Sequence, residues 1–279
     1  MSHRAELMNL FWSNAGIYPG TGEISPVDFA VRVEAAAKAG FVGIGLWHTD
    51  LEHILFNRTL KEMKAILDGN GIKHVELEFL TDWFVEGARR NESDRRKHLL
   101  LEASAALGAH HVKVGDFYNT PASAQQLIDS FAALCEEAAD YDAVIGFEFM
   151  TSAMLTNLKD SLAMVIAAGA SNGGVIVDIV HVLNVATPYE EVSFIPARHL
   201  VSVELNDGAP PGSPNHDPSG QRKFCGEGEY DIEGFIAAVR TTGYTGPWAV
   251  EVFAKDLVGL RQDELNWRAF ESTMRYFDI

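Results

Sequence analysis

The sequence predicts an α/β protein folded as a (β/α)8 barrel, the TIM-barrel class, with residues 1–279 forming a single domain. Three observations predict it. Eight short β-rich runs alternate with stretches of helical periodicity, the pattern of a parallel sheet covered by helices. Eight such units in 279 residues, 47% of them apolar, suit one closed barrel with a large core. No G-x-G-x-x-G follows the first run, and no linker or low-complexity segment divides the chain. An open, doubly wound nucleotide-binding sheet is therefore the weaker reading.

The β-rich runs, in order, are LMNLFW (7–12), VGIGLWH (42–48), HVELEFL (74–80), HVKVGDF (111–117), VIGFEFM (144–150), GVIVDIV (174–180), HLVSVELND (199–207) and WAVEVF (248–253), each bounded by Gly, Asn or charged residues. The clearest helix is 25–40, with Ser25 as cap, Pro26 in the first turn and Gly40 at the end. Further helices are predicted at 59–69, 93–108, 121–139, 157–169, 231–242 and 261–277, with only a short one near 187–194.

Composition narrows the function. Lys and Arg number 22 against 39 Asp and Glu, a net charge of −17, which repels phosphate backbones and argues against nucleic-acid partners. The basic stretches 88–98 and 220–224 are short. No run reaches the roughly 20 apolar residues of a membrane span. The N-terminal MSHRAELMNLFW lacks the apolar core of a secretory signal, so a cytoplasmic protein is expected. Cys135 and Cys225 have no paired spacing and are expected to be buried and structural.

The informative residues are acids at strand ends. Glu148, Asp178, Glu204 and Glu251 stand late in runs five to eight. In a barrel these positions meet at the C-terminal face, where active sites form. Four carboxylates aimed at one volume repel one another. A divalent cation removes that conflict, and an all-oxygen set suits Mn²⁺ or Mg²⁺. His181, three residues past Asp178, is placed to ligate or to bind a substrate oxygen.

At these residues the chain resembles the xylose isomerase-like TIM-barrel superfamily of sugar epimerases, inosose dehydratases and endonuclease IV. The matching motifs are GFEFM around Glu148, VDIVH with Asp178 and His181, VELNDG around Glu204, GQRKFCGEGEYD (220–231) and GYTGPWAVE ending at Glu251. The resemblance implies that Glu148, Asp178 and Glu251 bind metal, that Glu148 and Glu251 also move the substrate proton, and that His181 and Arg222 contact substrate oxygens. Two departures stand out. Glu204 occupies a position that is usually a metal-binding histidine, and either replaces it as ligand or has left the metal. Met154 stands where ketohexose 3-epimerases carry a second substrate-binding Glu. Endonuclease IV uses more histidines than this chain offers.

Near the presumed mouth, Trp47 and His48 are candidates for substrate binding, with packing and loop capping as their structural alternatives. Glu78 and Lys113 are read as an ion pair or an acid–base couple. Asp207 is read as supporting its loop or orienting Arg222. The loop 207–220 has the length and composition of a lid. The expected function is a metal-dependent isomerase or epimerase of a keto sugar or polyol. A lyase or dehydratase using the same site is the alternative, and a non-catalytic sugar-binding subunit is less favoured. Its partner would be a small sugar or polyol, and homo-oligomerisation is compatible with the sequence.

Overall fold

The computed structural model describes residues 5–277. Eight parallel strands close into a barrel in chain order. They are β1 (Leu7–Asn9), β2 (Gly43–Trp47), β3 (His74–Leu80), β4 (His111–Val114), β5 (Ile145–Glu148), β6 (Gly173–Asp178), β7 (Leu200–Leu205) and β8 (Trp248–Val250). Closure is made by β1 pairing with β8, with Met8 beside Ala249. The predicted barrel and its strand order are thus observed.

A helical layer wraps the strands, and the main core lies between the two. Phe29, Val33, Phe131, Phe147, Phe235 and Phe270 are among its buried members. Helix 29–39 begins later than the sequence suggests. Asp28, not Ser25, caps it by accepting from the Ala30 N–H. Ser25 instead donates to the Ala15 carbonyl at 2.7 Å. The predicted stop is observed, with Gly40 in the left-handed region at φ 115°. Thr59 and Glu62 form a reciprocal capping box at the start of helix 60–69.

Several boundaries move for physical reasons. The first run is cut to three residues because Phe11–Asn14 turns into a helix. A helix at His48–Leu55, unforeseen because it follows β2 without a turn signal, carries His48 out of the strand. The run at 174–180 ends at Asp178, whose carboxylate accepts from the Val180 N–H and caps helix 179–184. His181 therefore belongs to a helix that starts from a strand end. Helix 88–107 begins five residues before its expected start.

Long β→α excursions are tied at their base. Asp207 and Lys223 exchange both backbone hydrogen bonds, at 2.9 and 2.8 Å, closing the loop between them. The Asp207 carboxylate also accepts from the N–H groups of Gly208, Gly226, Gly228 and Tyr230. Of the two roles read for Asp207, holding the loop is the one observed.

Strand β2 packs against β1 and β3 so closely that Gly43 has no room for a side chain. A Cβ there would meet Met8 Cγ at 2.3 Å and the His74 carbonyl oxygen at 3.0 Å. Gly43→Ala should therefore destabilise the barrel by about 1–3 kcal/mol, the usual cost of overpacking. Chemical denaturation of both proteins checks this, and an unchanged midpoint would contradict the close approach.

Candidate active site

The strand pleat delivers the acids to the barrel axis. Asp178 and Glu204 are register partners across β6 and β7, and Glu148 pairs beside Ile176. Glu251 follows β8 directly, its N–H bonded to the Leu205 carbonyl at 3.1 Å. One carboxylate oxygen from each of Glu148, Asp178, Glu204 and Glu251 lies within 4.8 Å of all the others. An equally tight set is formed by Glu148, Asp178 and His181. All four acids are at most 5% exposed.

Above them opens a cavity of about 370 Å³, whose polar lining includes Glu78, Glu148, His181, Arg222 and Glu251. Its aromatic and apolar lining includes Trp12, Trp47, Phe79, Phe117, Met150 and Phe253. Its volume fits one sugar-sized molecule. Trp47 lines this cavity and packs on Trp12, with centroids 5.2 Å apart. His48 does not line it. Its Nδ1 accepts from the Phe79 N–H at 3.3 Å, and burial, assisted by Arg96, lowers its pKa to about 4. Of the two readings of His48, this contact is the structural one.

Arg222 is more constrained than expected. Its guanidinium stacks over Phe253 at 4.0 Å. Nη1 reaches Asp178 Oδ2 at 2.8 Å, Glu251 Oε2 at 2.6 Å and the Glu251 carbonyl at 3.1 Å. It touches the cavity, but its first task is to brace two acids. His181 Nε2 lies 3.4 Å from Glu148 Oε1.

The residue that sequence reasoning underrated is Lys113. Its pairing with Glu78 is the longer of several contacts, at 3.5 Å. Nζ is closer to Glu204 (2.7 Å) and Glu76 (2.9 Å) and also reaches Glu251 (3.4 Å) and Glu148 (4.0 Å). Glu76, which the sequence reading passed over, continues the chain to His111 Nε2 at 2.7 Å. The signal was present: Glu76 and Glu78 alternate in HVELEFL, as His111 and Lys113 do in HVKVGDF, so each pair shares the inward face.

The charges do not balance. Six buried acids (Glu76, Glu78, Glu148, Asp178, Glu204 and Glu251) face two permanent cations, Lys113 and Arg222. Burial raises the pKa values of Glu78 and Glu204 well above the carboxylate range although Lys113 opposes it. Burial likewise raises Asp178 against the pull of Arg222. At Glu251 burial acts upward too, but Lys113 and Arg222 together hold the group down at about 2. For Glu76, Lys113 and His111 outweigh burial and lower the pKa.

The oxygen-rich donor set fits a divalent cation. Glu204 Oε2 has no partner despite full burial, while Glu204 Oε1 and Asp178 Oδ2 are met only by ion pairs to Lys113 and Arg222. Surplus negative charge and an unsatisfied hard donor are what a hard divalent ion would satisfy.

Sequence comparison places this geometry among known proteins. The family described as xylose isomerase-like TIM barrel matches residues 33–271. A 3-dehydroshikimate dehydratase of Pseudomonas aeruginosa is 27% identical over 80% of this chain and 36% of its own length. That of Pseudomonas putida is 29% identical over 80% of this chain and 35% of its own. The chain thus spans about a third of the length of these curated relatives. Among solved structures, the IOLI protein with a binding zinc atom superimposes with a TM-score of 0.85 at 17% identity, covering 98% of both chains. No helix among the described residues is long and apolar enough to cross a membrane.

The raised acids fix a pH dependence. A carboxyl whose folded pKa exceeds its unfolded value stabilises fully below the unfolded value and loses that contribution as pH rises through the folded one. Glu251 and Glu76, shifted down, lose their contribution only on acidification below the ordinary value of 4.5. Above 4.5, Glu78, Glu204 and Asp178 act in this direction, while His48 and His110, lowered by burial to about 4, act oppositely up to their ordinary value near 6.5. The histidines are common to metal-free and metal-loaded protein, so between about pH 5 and about pH 8 metal-free protein should lose melting temperature relative to Mn²⁺-saturated protein. Calorimetry in chelator and in Mn²⁺ checks this, and a gap between the two that narrows over this range would contradict the charge surplus.

Proposed function

This chain belongs to the xylose isomerase-like TIM-barrel family, and we propose that it is a divalent-metal-dependent enzyme that abstracts a proton beside the carbonyl of a small polyhydroxylated ketone and expels the β-hydroxyl as water. The observation that carries this reading is the convergence of Glu148, Asp178, Glu204 and Glu251 beneath a sugar-sized cavity. The likeness to two 3-dehydroshikimate dehydratases over 80% of the chain supports elimination ahead of epimerisation. The epimerase reading survives as the competing outcome of the same first step.

Glu148, Asp178, Glu204 and Glu251 would hold the ion, Mn²⁺ or Mg²⁺. When bound, it supplies a Lewis acid that polarises a carbonyl and acidifies the neighbouring C–H. The carboxylates divide the remaining work unequally. Glu251, clamped by Arg222 and held near 2, is a poor proton acceptor at neutral pH. Glu148 lines the cavity without a guanidinium contact and is the better base. His181, 3.4 Å from Glu148 and also facing the cavity, is placed to donate to the departing hydroxyl. Arg222 keeps Asp178 and Glu251 in position from the side. The aromatic lining of the cavity would exclude water and offer flat apolar surface to the C–H face of a ring.

Mn²⁺-loaded protein should be incubated in heavy water with 3-dehydroshikimate, inososes and ketohexoses. Dehydration gives a conjugated product seen by ultraviolet absorbance, whereas epimerisation returns substrate deuterated at an inverted carbon. Glu148→Gln should lower turnover by ~10²–10⁴-fold, and His181→Ala by ~10²-fold with Mn²⁺ affinity near wild type. Glu251→Gln and Asp178→Asn should mainly weaken Mn²⁺ binding. No saturable Mn²⁺ binding at millimolar concentration would end the metal reading, and full activity in Glu148→Gln would remove Glu148 as base.

A further inference from the structure

The ammonium of Lys113 stands in surroundings that resemble a cation site more than an ordinary ion pair. Five carboxylates from β3, β5, β7 and the end of β8 lie around Nζ: Glu204 at 2.7 Å, Glu76 at 2.9 Å, Glu251 at 3.4 Å, Glu78 at 3.5 Å and Glu148 at 4.0 Å. An ammonium has only three N–H donors, so this shell holds more acceptors and more negative charge than it can satisfy. The surplus is visible in the structure: Glu204 is fully buried, Lys113 meets only its Oε1, and its Oε2 has no partner among the described residues. Oxygen ligands in such number are what a hard divalent ion collects.

We propose that Lys113 occupies a second cation site and thereby restricts the barrel to one divalent ion. This rests on the reading of Glu148, Asp178, Glu204 and Glu251 as the first site. Three of those acids, Glu148, Glu204 and Glu251, also face Lys113. Glu76 and Glu78 face it from the other side and belong to the second site alone. Lys113 thus acts as a positioning residue. It ties Glu204 on one flank, keeps Glu76 and Glu78 from the first ion, and fills the volume a second ion would take.

The test is metal stoichiometry, measured by equilibrium dialysis against Mn²⁺ with elemental analysis, for wild type, Lys113→Ala and the double variant Lys113→Ala with Glu76→Gln. One ion in wild type, two in Lys113→Ala and one in the double variant support the proposal. One ion in both wild type and Lys113→Ala, or two in wild type, overturns it. No ion in wild type, whatever Lys113→Ala binds, overturns both the proposal and the first site. If Lys113→Ala does not fold alone, refolding is repeated in millimolar Mn²⁺ and in Na⁺ at equal ionic strength. Recovery in Mn²⁺ only supports the proposal, and recovery in neither overturns it.

Discussion

Repulsion among buried carboxylates is the constraint around which this barrel is arranged. Parallel strands that end at one face bring their last side chains together whatever their chemistry, and here the sequence supplies acids from β3, β5, β6, β7 and the end of β8. Bringing such charges out of water is costly unless opposite charge arrives with them. Lys113 from β4 and Arg222 from the loop after β7 provide part of it. The two cations are inserted differently. Lys113 rises within the barrel between acids on facing strands, while Arg222 reaches in from outside, flattened on Phe253. Glu251 touches both cations, and together they hold it ionised, its pKa down at about 2.

The same geometry relates the site to the fold. Asp178 is at once the last residue of a strand, the cap of helix 179–184 and a member of the acid cluster. Asn206 donates at 2.8 Å to the same Oδ1 that caps the helix, and Arg222 holds Oδ2, so the side chain is fixed before any substrate arrives. Preorganisation of this kind is what makes electrostatic catalysis effective, because the groups need not reorganise during reaction. The aromatic wall is equally fixed: Phe11, Trp12, Trp47 and Phe79 pack on one another across β2, β3 and the first helical turn.

Much of this was legible in the amino-acid order. Eight β-rich runs were enough for the barrel, and the late positions of Glu148, Asp178, Glu204 and Glu251 were enough to bring them together. What escaped the sequence was pairing across strands. Alternation in HVKVGDF can turn Lys113 inward, but its partners are decided only when the barrel closes and faces it toward Glu204, Glu76 and Glu251. The surroundings of His48 were hidden for a related reason: an unexpected helix begins at that residue and its ring accepts from the backbone of β3. Ser25, expected to cap its helix, is drawn away by its bond to the Ala15 carbonyl, and Asp28 caps instead.

The clasp between Asp207 and Lys223 has an evolutionary consequence. Because the ends of the 208–222 excursion are pinned by paired backbone bonds and by the Gly208 N–H on the Asp207 carboxylate, which also takes three N–H groups of the following turn, the tip can change while its base, with Arg222, stays in place. Lengthening a loop with fixed ends costs little, about 0.6 kcal/mol for each doubling. Insertions and deletions there would be nearly neutral for the scaffold while reshaping the ground above Arg222. The clasp therefore separates two rates of change within one chain, a slow one for the charged floor and a fast one for the rim, and makes this loop a natural graft point for new selectivity.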